Sequence, residues 1–214
     1  MTLDDDLAPA RPRDAQRARV YRAEMAVPSS PLPGLAACAV FAEKVVGSLW
    51  WVLRFPDHGL DAIPRFRPGN GARQAFYRED PGGPTITLPR RYRTKGVVLH
   101  ELVHWALAVS PDLPHHGTTF TRVLVDAVGE FCGPDRAVLL AGAYRVERVR
   151  MGAAAVVSGD GRLCYGADER ARLARRRDAR RAPVAASALA RPASYGARRT
   201  AVDGDEGWEG AHER

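Results

Sequence analysis

Positions 100–104 read His100-Glu101-Leu102-Val103-His104, and this pentapeptide constrains the chain more than any other segment. An α-helix turns once every 3.6 residues, so side chains at i and i+4 project side by side from one face. The flanks have a helical pattern: Thr94 suits an N-cap, and Val98, Leu99, Leu102, Val103, Ala106 and Leu107 supply apolar positions around a helix expected over 96–109. A helix that is apolar on most sides is a buried one, and buried imidazoles and carboxylates need partners. Leaving such a polar group unpartnered costs about 1–3 kcal/mol, and a charge costs more. A metal ion supplies one partner for both histidines.

Two histidines at this spacing are part of a catalytic zinc centre, which takes three protein ligands and leaves the fourth position open. Glu101, next to the first histidine, projects elsewhere on the helix surface, where it can take a proton from water instead of binding the ion. For the third ligand the chain offers His115, His116 and Glu130. The metzincin spacing is absent, because Ser110 stands where its third histidine belongs and Pro111 follows. His116 precedes Gly117-Thr118-Thr119-Phe120, where a loop with Pro111 and Pro114 gives way to a helix expected over 119–128. A ligand at a helix start is held firmly, so His116 is the expected third ligand, ahead of His115. Glu130 ranks third, since it lies beside Gly129, where that helix is expected to end.

HELVH followed by a loop and His116-Gly117-Thr118-Thr119-Phe120 resembles the SprT-like zincin pattern, in which the histidine before glycine is the third zinc ligand. A longer stretch also resembles a small actinobacterial family of HExxH metallohydrolases whose substrate is not established. It runs from Arg13-Asp14-Ala15-Gln16-Arg17 and Val20-Tyr21-Arg22-Ala23-Glu24 through HELVH to Gly133-Pro134. The resemblance implies a zinc-dependent hydrolase with His100, His104 and His116 as ligands and Glu101 as the catalytic acid/base. It does not extend to the zinc ribbon of longer SprT-like proteins, for which the chain has no CxxC pair.

With 214 residues, 45% of them apolar, the chain can bury one sizeable core. Cys38, Cys132 and Cys164 are too few and too scattered for a disulfide framework or a cysteine-ligated metal site, which suggests a reducing compartment. Residues 1–13 contain no apolar signal-like segment, and no apolar run reaches the roughly 18–20 residues of a membrane helix. The expectation is a cytoplasmic protein without a membrane partner. Its net charge of +7 comes largely from arginines, densest at Arg170, Arg172, Arg175, Arg176, Arg177, Arg180 and Arg181. Blocks of like charge without apolar content are usually solvated. The expected division is a flexible N-terminus over 1–12, a metallohydrolase domain over 13–150, and a mostly disordered Arg/Ala-rich tail over 151–214.

Further helices are expected over 13–25, 35–46 and 135–149, and strands over 49–55, 71–78 and 85–88. The last two strands flank the turn-rich Glu79-Asp80-Pro81-Gly82-Gly83-Pro84, which suits a hairpin. The resemblance to zincins implies Ile86 to Leu88 or Ala75 to Tyr77 as a substrate-pairing edge, the alternative being that both strands only complete the sheet. A small hairpin is expected around Ser158-Gly159-Asp160-Gly161, and Tyr144 is expected to pack, with an oxyanion-donor role only if its helix crosses the cleft. Together these give an α+β, zincin-like fold with a small sheet, a Zn2+ cofactor and a peptide or protein substrate. The alternative is a non-catalytic, metal-stabilised protein whose basic tail binds nucleic acid or another acidic partner.

Overall fold

The computed structural model describes residues 14–71, 73–108, 113–157 and 163–165. The Arg-rich run, the 1–12 terminus and the turn at 158–161 lie outside the described residues. Mixed α+β architecture is present as expected, with six α-helices and a small sheet among the described residues. Strand β1 (Arg65–Pro68) pairs in parallel with β3 (Gly83–Leu88), and β2 (Phe76–Asp80) pairs antiparallel with β3, so β3 is central. The β2–β3 hairpin turns where expected, with Gly83 at φ +101°, a conformation open to a residue without Cβ. The cleft edge belongs to β2 of the two expected candidates, because Ile86 and Leu88 are buried in the central strand.

Helix α4 (Lys95–Leu107) carries HELVH and is capped by the Thr94 hydroxyl, which accepts from the Val97 N–H at 3.3 Å. It packs against β2 and α2 (Leu35–Val46) on one side and α5 (Thr118–Cys132) on another. Beyond α5 lie α6 (Pro134–Val146) and then α1 (Arg17–Met25). Leu99, Leu102, Val103, Val123, Leu124 and Leu140 fill the interior, so α4 is a core helix that carries the motif.

Three local expectations change. Residues 49–55 form not a strand but helix α3 (Leu49–Arg54), whose N-cap Ser48 accepts from the Trp51 N–H at 3.2 Å. Helical spacing brings the Trp51 and Phe55 rings to 4.8 Å, and Trp51 stacks on Trp105 at 5.9 Å; this packing outweighs the aromatic preference for strands. Gly129 does not end α5, which runs on to Cys132 before Gly133 breaks it at φ +104°. A Cβ at Gly129 would stand 3.3 Å from Ala137 Cβ, so this glycine serves the close approach of α5 to α6. Strand β1 was not foreseen, for Arg65-Phe66-Arg67-Pro68 offers one apolar side chain and a proline, which only an edge strand tolerates. Strand β4 (Val156–Val157) pairs antiparallel with β5 (Leu163–Cys164), on either side of the expected turn, and Tyr165 is buried and accepts from Arg54 Nε at 2.8 Å.

Candidate metal centre

Three imidazoles converge beside α4. His104 Nε2 stands 3.0 Å from His100 Nε2 and 3.2 Å from His116 Nε2, and the last two nitrogens are 3.4 Å apart. Two zinc–nitrogen bonds of about 2.0–2.1 Å at a tetrahedral angle separate their nitrogens by about 3.3–3.4 Å. Without an ion, three nitrogens at this spacing present lone pairs to one another. The group can therefore hold a metal ion. His116 reaches it from the turn before α5, where Gly117 is the N-cap, and the turn is closed by the Gly117 N–H donating to Pro114 O at 3.0 Å.

The other two candidates do not join. His115 is exposed, with its ring centroid 5.7 Å from that of His104, and Glu130 is exposed on the last turns of α5.

Behind the ligands stand carboxylates that the sequence reading assigned no role. His100 Nδ1–H donates to Glu24 Oε2 at 2.8 Å, and His116 Nδ1–H donates to Asp14 Oδ2 at 2.6 Å. Each such bond fixes the tautomer, leaving the Nε2 lone pair for the ion. Tyr144 does not face an oxyanion position; its hydroxyl donates to Glu24 Oε1 at 3.1 Å. Gln16 adds a clamp: its Nε2 donates to His116 O at 2.7 Å and Arg150 O at 3.1 Å, while its Oε1 accepts from the Arg150 N–H at 2.9 Å. Tyr21 stacks on His100 at 5.4 Å and meets His116 edge-on at 5.1 Å.

One signal did point to this shell. Arg17, Tyr21 and Glu24 follow one another at spacings of four and three along α1, with Asp14 three residues before Arg17, a polar row beside the buried Val20 and Ala23.

Charge in the site follows from burial. Burial works against a charged His100, but Glu24, by charge and hydrogen bond, outweighs it and raises the pKa above the ordinary value. Burial together with His100 and His116 holds His104 well below its ordinary value. Burial and the His100 charge hold His116 down to about 4 against the pull of Asp14.

Glu101 is 2% exposed, and burial pushes it up to about 7 against the His100 charge and the Tyr77 backbone N–H that donates to it. Its Oε2 is buried without a hydrogen-bond partner. A buried carboxylate oxygen left open beside three convergent imidazoles is suited to accept a proton from a molecule that enters the site.

A cleft of about 790 Å³ opens onto His104, His116 and Glu101, with Phe76, Tyr77 and Arg78 of β2 along its wall. No helix among the described residues is long and apolar enough to cross a membrane. In comparisons with known proteins, the chain matches no family model, no curated protein and no solved structure.

Proposed function

We propose that the chain is a zinc-dependent hydrolase of the HExxH type, with a zincin-like fold, that cuts peptide bonds. The observation that carries this reading is the unpartnered Oε2 of Glu101 beside the three Nε2 atoms of His100, His104 and His116. The nitrogen donor set and its spacing suit zinc, and the Glu24 and Asp14 carboxylates offset its charge. When bound, zinc supplies Lewis acidity, which lowers the pKa of water towards about 7 and polarises a carbonyl.

The chain's own residues do the rest. Glu101 Oε2 accepts a proton from the water that attacks the carbonyl carbon, and returns it to the amide nitrogen as the C–N bond breaks. Edge strand β2 lines the cleft and is suited to lie beside an extended peptide, so main-chain pairing would align the substrate.

Metal content by mass spectrometry on protein purified without chelator tests the site. The expected result is one zinc per chain, retained in Glu130→Ala and lost in His116→Ala. Protein that carries no metal and takes up none on adding zinc would reject the reading. Glu101→Gln is expected to keep zinc and the fold while losing hydrolysis of a peptide mixture; full activity in this variant would reject Glu101 as the base.

A further inference from the structure

Glu101 lies at the junction of two cavities. The cleft already described has Asp14, Arg17, Asp57 and Arg78 in its walls. A second chamber of about 550 Å³ lies on the other side, between α1, the start of α4, and the facing parts of α5 and α6. Val27, Val97, Leu124, Val128, Leu140 and Tyr92 give it an apolar wall. His104 and His116 border the cleft, His100 borders the chamber, and Tyr21, Gln74, Ala75 and Glu101 border both. Tyr21, stacked on the His100 ring, is part of the partition between them.

A chamber of this size falls within the range of about 300–1,000 Å³ typical of ligand pockets. Its aliphatic walls gain nothing from a hydrated occupant, whereas an apolar group transferred there leaves water. Of its two guanidiniums, Arg91 is engaged: it donates to Arg73 O and lies 4.9 Å from the Tyr92 ring centroid. Arg136 is the other. The unpartnered Glu101 Oε2 ties the chamber to the reacting position.

Resting on the hydrolase reading, we propose that this chamber is the specificity pocket: it takes a bulky apolar side chain, aromatic or branched aliphatic, adjacent to the bond that is cut. The cleft takes the other flank of the peptide. Leu124, Val128 and Val97 determine the size of the accepted side chain.

Three hydroxamates that share one zinc-binding group test this by calorimetry on the zinc-loaded full chain: acetohydroxamate, 3-phenylpropanohydroxamate, and the monohydroxamate of succinate. The phenyl compound is expected to bind about tenfold to a hundredfold tighter than acetohydroxamate, the gain from burying an aromatic ring. The charged succinyl compound is expected to show no such gain. Leu124→Trp fills the chamber and should abolish the phenyl gain while leaving acetohydroxamate affinity unchanged. Val97→Phe, at a half-buried position, makes the same test should Leu124→Trp fail to fold. A phenyl gain that is absent from wild type, or that persists in the filled variants, overturns the inference, as does tighter binding of the succinyl compound. Failure of acetohydroxamate itself to bind overturns the metal reading and the inference together.

Discussion

The three histidines are not held alike. His100 and His116 each donate from Nδ1 to a carboxylate, and each is almost wholly buried, at 2% and 3% exposure. His104 is half-buried, and among the described residues no carboxylate accepts from it; its ring instead stacks on Phe120, with centroids 4.5 Å apart and planes 28° apart. Two ligands are therefore fixed by charge-assisted hydrogen bonds from α1 and the residues before it, and the third by packing from α5. A hydrogen-bonded carboxylate sets both the orientation and the basicity of an imidazole, whereas a stacked ring sets orientation alone. His104 also borders the open cleft, as His116 does.

The difference can be broken from either side. Replacing a ligand should have the largest effect: His100→Ala is expected to lose bound zinc outright, as read by metal content after dialysis. Removing one carboxylate comes next. Glu24→Gln and Asp14→Asn should each weaken zinc affinity by about 10–100-fold in competition with a chromophoric chelator. Affinities unchanged from wild type would show that the carboxylates do not support the ligands.

Phe120→Leu should cost less than about tenfold in zinc affinity, since it leaves the hydrogen-bonded pair intact. It should lower unfolding stability by about 1 kcal/mol, the usual cost of an imperfect apolar exchange. A loss of zinc affinity as large as that of Glu24→Gln would mean that stacking and hydrogen bonding are equivalent here. Tyr144→Phe removes only the outermost bond, to Glu24 Oε1. It should cost about 1 kcal/mol in denaturant unfolding and change zinc affinity less than Glu24→Gln does. Smallest and independent of metal is Thr94→Ala, which loses the α4 cap at about 1 kcal/mol with zinc affinity preserved.

How much of this was legible follows from the range of each interaction. HELVH shows its geometry in the sequence because i and i+4 meet on any helix, and the Thr94 cap and the β2–β3 hairpin are equally local. His116 was legible from its place at a helix start, although the choice among His116, His115 and Glu130 required coordinates. Glu24, Asp14, Gln16 and Tyr144 act across 76 to 134 residues of sequence, and nothing local to them names the partner. The polar row of Arg17, Tyr21 and Glu24 on α1 does not name a partner either. The Leu49–Arg54 helix was misread for a related reason: a pair of tryptophans favours a strand until Trp105, distant in the chain, gives them a helical face to pack.

The Gln16 clamp also sets an order of events. It joins the start of the described chain to His116 and to Arg150, so the site closes only when residues far apart in synthesis are present together. A nascent chain released as far as His116 already owns all three ligands but lacks the α6 Tyr144 and the Arg150 backbone that hold α1 in place. Assembly of the histidine cluster in its native geometry is thus a late step of folding, and a ribosome-bound intermediate would present a loose histidine cluster before the folded one.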